Sequence, residues 1–117
     1  MTKALRFEQV VTAEHPDKTA KPGLDGTTPA ESAAPLWESA AGDIMVGTWE
    51  CTPGSFNTKR EGFDEIIYIL EGSGRLVSDD GEVTAYAAGD VVVIQDGFRG
   101  QWHVDETIRK VYFGTTR

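Results

Sequence analysis

From residue 37 onward, apolar residues come in short runs of four to eight positions. Many alternate with polar ones, and a glycine falls at 42, 47, 54, 62, 72, 81, 89 and 97. The runs are filled with Val, Ile, Thr, Tyr, Phe and Trp, which favour a pleated, half-buried surface. Strands are predicted at 43–51, 55–59, 64–71, 75–78, 83–86, 91–94, 101–104 and 108–113. The turn Ser78-Asp79-Asp80-Gly81-Glu82 reads as a hairpin, because Asp-Gly supplies the positive φ that tight hairpins need. No stretch keeps a 3.6-residue apolar period with caps, so the pattern predicts an all-β meander closed into a sandwich or barrel.

The N-terminal third reads differently. Residues 5–11 hold Phe7, Val10 and Val11 and suggest a first strand, whereas 12–35 are rich in Pro, Gly, Thr, Ala and Lys, with prolines at 16, 22, 29 and 35. Such a segment buries too little apolar surface to offset its ordering entropy. It is expected to be an irregular arm, packed on the barrel or on a partner subunit, or else a lid over a ligand. The division is therefore 1–36 for strand and arm and 37–117 for the barrel, all within one unit, since 117 residues suit one domain.

Charge and composition narrow the partners. Eleven Lys and Arg against nineteen Asp and Glu leave a formal charge of −8, which disfavours nucleic acid and an anionic membrane surface. No apolar run spans a bilayer and the first residues lack a signal-peptide pattern, so a cytoplasmic protein is expected. One cysteine, Cys51, excludes an internal disulfide and reads as a small buried hydrophobe.

Two short motifs carry a family resemblance. Glu65 and Gly72 enclose the six residues IIYILE, and Gly89-Asp90-Val91-Val92-Val93-Ile94-Gln95-Asp96-Gly97 runs from a Gly-Asp turn through an apolar strand to a second turn. Together they resemble the motifs of the cupin superfamily, which implies a jelly-roll antiparallel β-barrel. The stretches 47–54 and 100–104, with Arg109-Lys110-Val111-Tyr112, are similar to the subfamily that contains ureidoglycine aminohydrolase and the ethanolamine-utilisation cupin. The resemblance also implies a metal held by a His-x-His pair before the Glu and a His after the second turn. Here the first window is Thr58, Lys59, Arg60, Glu61 and Gly62, and the second position is Gly100. Strand alternation pairs Gly100 with Trp102 and Val104 and turns His103 outward; His15 lies in the arm. No tightly bound transition metal or other cofactor is expected, which leaves room for a weakly held divalent ion beside Glu65, with Glu61 or Gln101 and waters completing its shell.

Glu65 is thus the member of the usual ligand set still in place. Two futures are open to it: pairing with a cation among Lys59, Arg60, Arg75 and Lys110, or burial with a raised pKa that suits an acid or base. Lys110 and Tyr112 share a strand face, and Glu65 or Glu50 is the natural partner of an inward lysine. The catalytic candidates are Glu65, Lys110 and Tyr112, and the ligand-binding candidates are Trp49, Phe56, Tyr68 and Trp102. Three functions compete: a binder of a compact polar small molecule, a metal-independent or weakly metal-dependent hydrolase, isomerase or lyase using Glu65, and a structural or interaction module. The implied assembly is a homodimer, formed by sheet packing or by exchange of 5–11.

Overall fold

The computed structural model describes residues 3–116. Its eight strands are β1 (Thr19–Ala20), β2 (Ala30–Glu38), β3 (Ile44–Cys51), β4 (Gly54–Lys59), β5 (Phe63–Ser78), β6 (Val83–Ala87), β7 (Val91–Ile94) and β8 (Arg99–Thr116), with no helix among the described residues. All pairings are antiparallel, in the order β1-β2-β3-β8-β5-β6, with β4 on β8 and β7 on β5. The fold is the jelly-roll cupin barrel.

Two long strands organise it. β5 joins the runs expected as 64–71 and 75–78, and β8 joins those expected as 101–104 and 108–113. Each bends and serves both halves of the barrel: β8 pairs with β3 through its C-terminal half and with β4 through its N-terminal half. The bend of β5 lies at Gly72, where φ is +93° and the pairing with β8 shifts register. Glu65, Ile67 and Ile69 face inward before it, and Gly74 and Leu76 after it, so the bulge exchanges odd for even positions. On β8, Gly100, Trp102 and Val104 are buried, and half-buried His103 points the other way, as alternation requires. The core gathers Cys51, Phe56, Ile67, Ile69, Leu76, Tyr86, Trp102, Val104 and Ile108.

The arm departs from expectation. Residues 5–11 form no strand, and the stretch expected to be irregular carries β1 and most of β2. β2 adds to β3 in register from Glu31↔Cys51 to Glu38↔Met45, with a shift between Pro35 and Trp37. Residues 10–18 of the segment before it lie on the outer face of the sheet. There Arg109 donates to the carbonyls of Val10 (3.2 Å) and Ala13 (2.7 Å) and pairs with Glu50 at 2.8 Å, and Lys18 reaches the other oxygen of Glu50. His15 bonds Ser32 and, at 3.0 Å, Thr48. Glu50 is thus engaged across the sheet from Lys110 and is not its partner. Its carboxyl lies below the ordinary value: burial pushes it up, and the hydrogen bonds and charges of Lys18 and Arg109 outweigh that.

Candidate functional site

The inner faces of β3, β4, β5 and β8 converge on a cavity of about 300 Å³ at the open end of the barrel. Strand register sets its floor: Trp49 stands opposite Lys110, Glu65 opposite Gly114, and Gly47 opposite Tyr112, whose ring takes the space that a side chain at 47 would fill. Phe56 and Trp102 face each other across β4 and β8 and stack, with centroids 6.2 Å apart and planes within 7°. Trp49 meets Trp102 edge-on at 5.3 Å. The Trp102 indole N–H donates to the Tyr86 hydroxyl (2.9 Å), which donates to the His103 carbonyl (2.9 Å), so the ring is fixed from behind.

Glu65 is the polar centre. Lys110 Nζ donates to its Oε2 at 2.9 Å, while Arg60 donates to Oε1 through Nε (2.8 Å) and Nη2 (2.5 Å). Arg60 is itself held by Thr58 Oγ1 (2.7 Å) and the Lys59 carbonyl (2.8 Å). Lys110 Nζ lies 4.6 Å from the Trp49 ring and 4.4 Å from that of Trp102, and Arg60 lies 5.9 Å from Trp102 and from Phe63, so both cations rest on aromatic faces. Of the two futures open to Glu65, pairing prevails. Burial pushes its pKa up, but the charges and hydrogen bonds of Lys110 and Arg60 outweigh that and hold the carboxyl below its ordinary range. Burial also pulls the Lys110 ammonium down to about 8, with Glu65 opposing and Arg60 assisting. Both partners cannot be governed by their mutual attraction alone. Lys110 is the group for which loss of water dominates.

The cavity collects Glu65, Lys110, Tyr112, Trp49, Phe56 and Trp102. Tyr68 does not belong to it: β5 alternation places it beside inward Ile67 and Ile69, so it faces out and is 43 % exposed. Of the four cations weighed as partners of Glu65, Arg60 and Lys110 reach it, whereas Lys59 pairs with Glu61 and Arg75 with Asp105. From the arm side come Lys21 and Glu31, at the cavity mouth. Lys21 Nζ sits 3.2 Å from Glu31 Oε1, and the same oxygen accepts the Trp49 indole N–H at 2.8 Å. Cys51 is buried near the same wall, and loss of water raises its thiol to about 11, which keeps it un-ionised.

A cupin metal needs several neutral imidazoles or carboxylates converging on one point. Around Glu65 those positions hold Thr58, Arg60 and Gly100, and both carboxylate oxygens already face cations. Among the described residues no group of three or more His, Cys, Asp or Glu is placed to hold a metal ion. A divalent cation at Oε1 or Oε2 would meet a guanidinium or an ammonium, so the donor set does not fit one.

The family model described as the EutQ-like cupin domain matches residues 38–112. Similar solved structures include the EutQ protein of Clostridium difficile (20 % identity, 75 % of this chain and 69 % of that one, TM-score 0.65). A DUF861-family protein of unknown function from Pseudomonas syringae pv. tomato is 23 % identical over 90 % of this chain and 46 % of that one, with a TM-score of 0.71. Ectoine synthase from P. lautus is 17 % identical over 80 % of this chain and 68 % of that one, with a TM-score of 0.64. At these identities the likeness is one of fold. No curated protein matches the chain at a significant level.

Proposed function

For a chain that belongs to the EutQ-like cupin domain family, we propose the binding of a compact polar small molecule in the open end of the barrel, without a resident transition metal. One observation carries this reading: a cavity of about 300 Å³ walled by aromatic rings, with a few convergent charged groups at its floor. That is the composition by which small-ligand sites combine apolar contact with orientation. The family's fold hosts unlike activities, so the argument rests on the site and not on kinship. The closer kinship to ureidoglycine aminohydrolase belongs with this proposal and rests on the motifs at 47–54 and 100–104. A formal charge of −8 argues against nucleic acid and anionic membrane as partners and is compatible with a cytoplasmic protein. Among the described residues no helix is long and apolar enough to cross a membrane.

The test is a screen of small polar metabolites read by the indole N–H resonances of Trp49 and Trp102. A binder should shift both, and Arg60→Met should weaken it. A broad screen in which neither resonance moves would defeat the reading. Elemental analysis of the purified protein checks the metal: stoichiometric Mn, Fe, Ni or Zn would overturn that part.

A second reading, an enzyme of hydrolase, isomerase or lyase type, is favoured by the Lys110 ammonium, brought down to about 8 beside the cavity. Glu65, held charged, is poorly suited to give a proton near neutrality, so the acid/base role would pass to Lys110. Lys110→Met would then abolish turnover while binding persists.

A further inference from the structure

Most groups that line the cavity belong to the barrel wall and have no path away from it. Lys110 and Arg60 are tied to Glu65, and their side chains are 5 % and 10 % exposed. Lys21 is different. It follows β1, anchored by its backbone N–H to the Pro29 carbonyl at 3.0 Å, and reaches over the mouth with its side chain 20 % exposed. Its ammonium lies 3.6 Å above the centre of the Phe56 ring and 6.0 Å from that of Trp49. The carboxylate beside it, Glu31, is fixed by the Trp49 indole N–H.

Phe56, Trp49 and Glu31 therefore form a small cage of two ring faces and one oriented carboxylate, built on β4, β3 and β2. Such a cage has the chemistry that selects an organic cation: ring quadrupoles attract the charge, and the carboxylate accepts its N–H groups. We infer that this cage is the recognition site for an alkylammonium group of the ligand, and that Lys21 occupies it as a tethered stand-in. This rests on the barrel being a binding pocket and names the ligand's class.

The geometry permits exchange. Both contacts of Lys21, the pair with Glu31 and the ring face of Phe56, lie at the mouth, where the side chain already meets solvent. Lys21 can therefore swing into solvent, and a ligand ammonium regains both interactions. Beyond the cage the cavity presents Thr58 and Arg60, so a second polar group on the ligand, a hydroxyl or a carboxylate, would be met by donors. Lys21 thus sets a threshold: a ligand must displace it, which lowers apparent affinity while it competes.

The experiment titrates the whole chain and Lys21→Met with methylammonium chloride, against sodium chloride at equal ionic strength. The Trp49 and Trp102 indole resonances report binding, and the amide spectrum reports the fold. Lys21→Met should bind methylammonium at least about tenfold tighter than the unaltered chain, a gain of about 1.4 kcal/mol. Phe56→Leu or Glu31→Gln, added to Lys21→Met, should remove that gain. Equal or weaker binding by Lys21→Met, or an unmoved Trp49 resonance, overturns the inference. A parallel titration with sodium acetate separates the two levels. If acetate shifts Trp102 and methylammonium shifts nothing, the ligand class is wrong and the pocket stands; if no solute, screened metabolites included, moves either indole, both fall.

Discussion

Glu65 accepts from two cations, one at each oxygen, and it separates them from each other. Replacing it by Gln would leave Arg60 and Lys110 facing one another inside the barrel, and breaking a buried pair in this way costs about 3–5 kcal/mol. Lys110→Met should cost less, because Arg60 still neutralises the carboxylate and Met fills the space between Trp49 and Trp102; denaturant midpoints of the two variants check the order. Acid should act through the same carboxyl. Its folded pKa lies below the ordinary 4.5, so the unfolded chain takes up the proton first. Its contribution is present above about pH 4.5 and is lost as pH falls through the lower folded value. Thermal midpoints measured down to about pH 3 should fall, and fall less in Glu65→Gln. Lys110 acts with the same sign in an alkaline window: its folded value of about 8 lies below 10.5, so stability should rise as pH climbs between the two. The grouping of Glu65 with Lys110 and Tyr112 was partly legible in the sequence: strand parity puts Lys110 and Tyr112 on one face, and the structure shows that this face is the inner one and that Glu65, not Glu50, is the partner of the lysine. Arg60 was legible as one of four cations that could pair with Glu65, but which of the four reach it depends on the loop after β4 and on strand parity, which residue type alone does not give. Lys21 and Glu31 escaped for another reason: their approach depends on the path of the arm.

At the scale of elements, the strands with β-branched and aromatic runs were readable, and β7 (Val91–Ile94) spans the stretch the pattern marked. The errors fall where local preference and pairing disagree. Residues 5–11 have extended-favouring side chains but gain no ladder partner. β2, AESAAPLWE, has weak intrinsic preference and a proline, yet pairs along β3. Its other neighbour, β1, is two residues long, so β2 is close to an edge strand, where a missing N–H at Pro35 is tolerated. The apparent breaks at 72–74 and 105–107 were bends within continuous strands. Gly72 makes the first possible: a Cβ there would meet the Glu106 carbonyl oxygen at 2.8 Å and that of Thr107 more closely still, at a φ of +93°. Gly72→Ala should therefore cost more than the roughly 1–3 kcal/mol of backbone strain alone. Gly81→Ala, with a similar φ of +91° but open space around it, should stay within that range. Equal unfolding free energies for the two variants would show that the β5 bend does not depend on close approach to β8.

At the scale of the molecule, the inner side of the sheet holds the cavity and the outer side is divided. The N-terminal segment covers the rows around Arg109, Glu50 and Ser32, while the next rows are bare. One of them crosses five strands in register, Val93–Ile66–Phe113–Val46–Trp37, with Val93 at 55 % exposure and Trp37 at 40 %. Val91 and Tyr68 extend it in the neighbouring row. Five strands about 4.8 Å apart make a strip about 20 Å wide. Monomeric proteins rarely leave apolar patches above a few hundred Å² uncovered, whereas a stable dimer buries about 800 Å² on each partner. A second copy turned through a two-fold axis lays the strip on itself. Tyr68, misplaced as a pocket residue, then has a role as an interface ring. We expect a homodimer through this face, without the strand exchange that residues 5–11 suggested. Light scattering should give twice the chain mass, and Ile66→Asp with Val93→Asp should halve it while the amide spectrum stays dispersed. A monomeric mass for the unaltered chain, or a dimer indifferent to both substitutions, would remove the interface. Because the strip and the cavity lie on opposite sides of the sheet, the monomeric variant should still bind at the cavity, and loss of binding with dissociation would mean that each barrel needs its partner to hold the arm over the mouth.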